Sequence, residues 1–143
     1  MNTFVVDASV AAKWVLPGPP EPLQREAVHL LELWADNQVK LVVPDFFWVE
    51  ITNILWKAVR AERCTTEIAE SALAALRLNA IPTLPALPLL ESALDTAIMH
   101  GRTVYDSIYV ALAVEMDGHL VTADEKLVNT LSGRLPVIWL GAI

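Results

Sequence analysis

At 143 residues, with 55% hydrophobic and 19% charged side chains, the chain is long and apolar enough for one domain around one core, which excludes a disordered segment. Ten basic against seventeen acidic residues leave a formal charge of −7. That excludes a broad basic surface for nucleic acid, but leaves room for a local basic rim or an ion-bridged phosphate.

The first element is an apolar run, Thr3-Phe4-Val5-Val6, that climbs into Asp7. Runs rich in β-branched and aromatic residues predict a buried strand. Val10 to Leu16 reads as a short helix with Ser9 placed to cap it, although Asp7 can cap it too. The run Pro17-Gly18-Pro19-Pro20-Glu21-Pro22 stops that helix in a stiff loop. Ala27, Leu30, Leu31 and Trp34 have the spacing of a helix over Leu23 to Ala35, and Lys40 to Pro44 reads as a second strand. The longest helix is expected from Asp45 to Arg63, and the next from Thr66 towards Asn79. Thr83-Leu84, set among prolines, suits a short edge strand. Leu89 to His100 is a helix closed by Gly101, and Tyr105 to Met116 another, closed by Asp117-Gly118. His119 to Thr122 is a strand, Glu125 to Leu131 a short helix, and Val137 to Leu140 the last strand. Strands alternating with helices predict an α/β fold: a three-layer α/β/α sandwich with a central, mostly parallel sheet, residues 1–143 forming a single domain.

Cys64 is the only cysteine, so neither an internal disulfide nor a thiolate zinc site is available. With no basic leader region ahead of Asp7 and no apolar run of about 18 residues, a cytoplasmic protein without a membrane segment is expected. The high apolar content also points to a homodimer face.

Four acids stand out by position. Asp7 and Asp124 follow apolar strands, Glu50 lies on an otherwise apolar helix, and Asp106 opens a helix whose next residues are nearly all apolar. Carboxylates in such surroundings are costly unless paired or bound to a metal. In a parallel sheet Asp7 and Asp124 emerge at the same edge, and helices entered from that edge add Glu50 and Asp106. Crowded carboxylates repel, and a hard divalent cation relieves the conflict. Oxygen donors alone suit Mg²⁺ or Mn²⁺ rather than zinc. Such an ion attracts phosphate, so the pattern points to metal-assisted phosphodiester hydrolysis. Acids at strand ends also serve as helix caps and solvated loop residues.

These residues resemble the PIN domain family, and within it the VapC toxins of toxin–antitoxin pairs. The matching pieces are Val6-Asp7-Ala8-Ser9 with Lys13-Trp14; Pro44 with Glu50, Asn53 and Leu55; Thr103-Val104-Tyr105-Asp106-Ser107-Ile108-Tyr109 with Val110-Ala111-Leu112-Ala113; and Leu120-Val121-Thr122-Ala123-Asp124-Glu125-Lys126-Leu127. They occur in the family's order over nearly the whole chain. The resemblance implies a PIN-like α/β/α fold and a Mg²⁺- or Mn²⁺-dependent endoribonuclease, with RNA as substrate and a cognate VapB-like antitoxin as partner. It assigns catalysis and metal binding to Asp7, Glu50, Asp106 and Asp124. Ser9, Thr122 and Asn53 would steady those carboxylates. Where some members carry a further acid, Leu127 and Val128 stand here, which leaves one or two ions open.

Lys13 and Lys57 are candidate contacts to RNA phosphate. On residue type Lys13 equally suits a counter-ion for Asp7 or a solvated helix residue, and Lys57 with Arg60 and Arg63 suits a solvated face. Among five tryptophans, Trp48 and Trp56 are the expected exposed pair, for antitoxin or dimer contact. Tyr105 and Tyr109, which flank Asp106, are expected to pack or hydrogen bond near it. Other readings are a nuclease of the same fold in RNA maturation or DNA processing, and a non-catalytic acidic binding module. A haloacid-dehalogenase-like phosphatase would need a second acid where Ser9 stands, and the acid pair and lysine of a response-regulator receiver are missing.

Overall fold

Five short strands make one sheet in the computed structural model, which describes residues 1–143. β1 (Asn2–Val6) buries Phe4, Val5 and Val6 in succession rather than in alternation, because helices cover both faces of the sheet. β2 (Val39–Pro44) and β4 (His119–Thr122) flank it, with Val5 opposite Val42 on one side and Leu120 on the other. β3 (Thr83–Leu84) is the edge strand beside β2, and β5 (Val137–Trp139) lies beside β4. Every pairing is parallel, and the order is β3-β2-β1-β4-β5.

The order fixes where a ligand can sit. The chain leaves β1 in one direction, through β2 to β3, then returns past β1 to β4 and β5. Right-handed crossovers put α1 (Ala8–Val15), α2 (Gln24–Ala35), α3 (Phe46–Arg60) and α4 (Thr66–Leu78) on one face. They put α5 (Leu90–His100), α6 (Val104–Glu115) and α7 (Glu125–Leu131) on the other. Connections diverge between β1 and β4, so a crevice opens there at the carboxyl ends of the strands.

The helices follow from the apolar stripes. α6 is buried from Ser107 to Ala113, because α5 covers one side and β1, β2 and β4 the other. Ser107, wholly buried, donates to the carbonyl of Thr103 at 2.8 Å. Buried apolar residues from Phe4 to Leu140 form one continuous cluster.

Several boundaries shift from expectation, with α3 ending at Arg60 rather than Arg63, and two ends differ in kind. α1 begins at Ala8, with Asp7 as its cap: Asp7 Oδ1 accepts from the Val10 N–H, while Ser9 lies inside the first turn. β1 ends at Val6, so the first side chain free to turn back onto the helix is that of Asp7. The last strand stops at Trp139, and Leu140 begins a single 3₁₀ turn. No helix is long and apolar enough to cross a membrane.

Gly118, just ahead of β4, lies against the backbone of Thr3 in β1, where an added Cβ would collide with the Thr3 carbonyl. Gly118→Ala should therefore cost about 1–3 kcal/mol by urea denaturation, with the slope of the transition unchanged.

Candidate active site

β1 delivers Asp7 to the crevice and fixes its carboxylate. Oδ1 accepts from the Val10 N–H at 3.2 Å and from the Ser9 hydroxyl at 2.5 Å. Thr122, at the end of β4 and wholly buried, lies close enough to Asp7 to ease its ionisation, and its hydroxyl accepts from the Asp124 N–H at 3.1 Å. One hydroxyl thus stands between the carboxyl ends of adjacent strands, beside one acid and accepting from the backbone of the other.

The other acids enter from helix starts. Thr103 caps α6 by accepting from the Asp106 N–H at 3.1 Å, which sets Asp106 in the first turn. Asp124 caps α7: its Oδ1 accepts from the N–H groups of Lys126 and Leu127 at 3.0 and 3.3 Å. Glu50 lies on the second turn of α3, near enough to Asp7 and Asp106 to sense the charge of both. The positive ends of α1, α6 and α7 lower the cost of gathering negative charge here.

Burial pushes the Asp7 carboxyl above the ordinary carboxylate range, against the opposing hydrogen bonds of Ser9, Thr122 and the Val10 and Ser9 backbone. Burial likewise raises Glu50, with Asp7 and Asp106 adding to the rise and Tyr109 opposing it. Tyr109, nearly fully buried, is pushed up by burial and by the neighbouring Glu50. Neither Glu50 Oε1 nor Tyr109 Oη completes a well-formed hydrogen bond within the protein, and both are buried.

The acids share one rim but do not form a closed cage: no three acidic, histidine or cysteine side chains are drawn together into a set of metal ligands. Asp106 and Asp124 instead share a residue that sequence reasoning missed. Arg102 Nη2 donates to Asp106 Oδ2 at 3.0 Å and to Asp124 Oδ2 at 3.3 Å. An arginine four residues before Asp106 was a visible signal, but it precedes the helix, and its second partner lies 22 residues on. The donor set still fits a hard divalent cation. It offers only oxygens, and the buried, unpartnered Glu50 Oε1 lies within the field of Asp7 and Asp106.

Other candidates are placed differently. Asn53 is exposed and makes no hydrogen bond to Glu50. Lys13 neither faces solvent freely nor neutralises Asp7: it pairs with Glu21 at 3.3 Å, and Arg63 reaches the same carboxylate at 3.0 Å. Burial acts to raise Glu21, but Arg63 and Lys13 outweigh it and bring the carboxyl below its ordinary range. Lys57 is exposed on the last turn of α3. Trp56 is exposed beneath the Arg60 guanidinium, whereas Trp48 is half-buried and donates to Thr83 Oγ1 at 3.0 Å. A cleft of about 670 Å³ lined by Pro22, Asp124, Lys126 and Trp139 opens beside the acidic rim.

Comparison with known proteins gives consistent matches. The PIN domain model matches residues 4–130. Ribonuclease VapC3 of Pyrobaculum aerophilum is 32% identical over 126 residues, covering 87% of this chain and 91% of its own. The crystal structure of PAE2754 from the same organism superposes with a TM-score of 0.71 at 26% identity, covering 99% of this chain and 85% of that one. A chain from a Klebsiella pneumoniae toxin–antitoxin complex, 15% identical, shares the fold with a TM-score of 0.63 over 94% of both chains.

The raised carboxyls give a signed pH dependence. Between the ordinary carboxylate value, about 4, and the raised values, the folded chain holds protons that the unfolded chain has released. Stability of metal-stripped protein should therefore fall as pH rises through that window. Asp7→Asn keeps the acceptor for Ser9 and Val10 without the charge. It should melt a few degrees higher than wild type at neutral pH and no higher near pH 4, in thermal scans with chelator.

Proposed function

The chain belongs to the PIN domain family, and on that premise we propose that it is a metal-dependent endoribonuclease, the toxin of a VapBC-type toxin–antitoxin pair. One observation supports the reading: a buried carboxylate oxygen of Glu50 that completes no hydrogen bond lies within the field of Asp7 and Asp106, at the carboxyl ends of the strands. Mg²⁺ or Mn²⁺ suits that set and, when bound, supplies Lewis acidity at a phosphoryl oxygen and makes hydroxide accessible near neutral pH.

The chain's own residues do the rest. Asp7, Glu50 and Asp106 would hold the cation, with Asp124 beside them. Ser9 and the Val10 N–H fix the rotamer of Asp7, so the ligand oxygen is aimed before RNA arrives. Lys57 is free to meet a phosphate along the strand, whereas Lys13 must first leave Glu21. The −7 charge makes the cation the main attraction for RNA at this rim.

Partners follow from exposed apolar surface. Between α3 and α4 a small, mostly apolar groove of about 260 Å³ is lined by Leu55, Trp56, Val59, Ala69 and Leu73. It suits the apolar face of an antitoxin, whose basic side chains would answer the acidic rim; the Klebsiella chain of this fold is part of such a complex. Leu90, Leu94 and Ile98 line one exposed face of α5 at helical spacing and suit a homodimer contact. Residues 1–143 act as one domain, in the cytoplasm where RNA and antitoxin are found.

Purified protein should cleave RNA with Mg²⁺ and lose cleavage with chelator. Asp7→Ala and Asp106→Ala should each lower the rate at least about 100-fold. Equal cleavage by wild type and both variants would contradict the reading.

A further inference from the structure

Arg102 is the one cation in direct contact with the acidic rim, and its bonding is specific. Gly101 ends α5 in the left-handed region, φ 67°, and turns the chain so that Arg102 projects between α6 and α7. Its side chain is only 21% exposed, and one terminal nitrogen serves two carboxylates from separate segments. The capping of α7 takes Asp124 Oδ1 twice over. Arg102 takes Oδ2. Both oxygens of Asp124 are therefore engaged within the protein. Asp106 gives only Oδ2 to Arg102, and the hydrogen bonds of Asp7 fall on Oδ1. Glu50 Oε1 has no partner.

We propose that Arg102 is an internal cation that competes with the divalent ion for Asp124 and for one oxygen of Asp106. It leaves the ion to Asp7, Glu50 and the free side of Asp106. Asp124 becomes a ligand only when Arg102 lets go. Arg102 is thus a positioning residue: it reserves one acid of the four, sets the affinity for the ion, and holds α6 and α7 together across the rim. A guanidinium suits this task because it stays charged at any working pH and its donors point in a fixed fork. The inference rests on the divalent-ion reading above and concerns which acids the ion meets.

The test is Mn²⁺ binding by titration calorimetry on metal-stripped protein, without RNA. A single neighbouring unit charge commonly changes the proton affinity of a carboxylate by about 1–3 pKa units, so Arg102→Gln should bind Mn²⁺ at least about tenfold tighter. Asp124→Asn alone keeps the cap on α7 and should leave the affinity within about threefold of wild type. In the double variant with both changes, most of the gain from Arg102→Gln should vanish. Arg102→Lys, which keeps the charge, should stay near wild type, and thermal melts with chelator check that each variant is folded. Unchanged or weaker binding by folded Arg102→Gln would overturn the inference. So would a large loss in Asp124→Asn alone, which also reads the question should Arg102→Gln fail to fold. Those outcomes leave the metal-dependent nuclease intact, whereas no Mn²⁺ binding by wild type would remove that reading and this inference with it.

Discussion

Crowding of negative charge at one edge of a parallel sheet is the constraint around which the molecule is built. Parallel strands all point their carboxyl ends the same way, and the order β3-β2-β1-β4-β5 makes β1 and β4 neighbours exactly where the connections diverge. Asp7 and Asp124, more than a hundred residues apart in the chain, are brought to one rim by that topology alone. Helices that start at the same edge add Glu50 and Asp106. The fold offsets part of the repulsion with α-helix N-termini, with the hydroxyls of Ser9 and Thr122, and with Arg102. It does not offset all of it: Asp7 and Glu50 remain harder to ionise than ordinary carboxyls. That residue of strain is what a doubly charged ion can relieve, which ties the electrostatics of folding to the chemistry of phosphate.

The same residues therefore serve structure and site. Asp7 both caps α1 and points at the crevice, one oxygen for each task. Asp124 both caps α7 and joins the rim. Thr122 is at once the last buried residue of β4 and the hydroxyl that steadies the backbone of Asp124 beside Asp7. Capping and metal binding are not rival readings of an acid at a strand end. A carboxylate has two oxygens, and a cap needs one.

The sequence made the elements legible because each is a short apolar run with its own punctuation. Val39–Pro44 closes on a proline, α5 on Gly101, and α6 opens on a threonine cap. The four acids were legible as outliers in apolar company. What the sequence hid were pairings between distant residues with no periodic trace. Arg102 meets Asp124 across 22 positions, Arg63 meets Glu21 across 42, and Trp48 meets Thr83 across 35. Lys13 looked free for the same reason, since its partner stands in the proline loop. For α1 the sequence left Ser9 and Asp7 both open as caps, because Ser and Asp are equally good caps, and only the end of β1 decides between them.

The most direct measurement is anomalous diffraction from a crystal soaked in Mn²⁺. The account predicts a peak at the crevice, about 2.1 Å from carboxylate oxygens of Asp7 and Asp106, with Glu50 turned towards it. Manganese confined to isolated surface carboxylates, with nothing between Asp7 and Asp106, would contradict it.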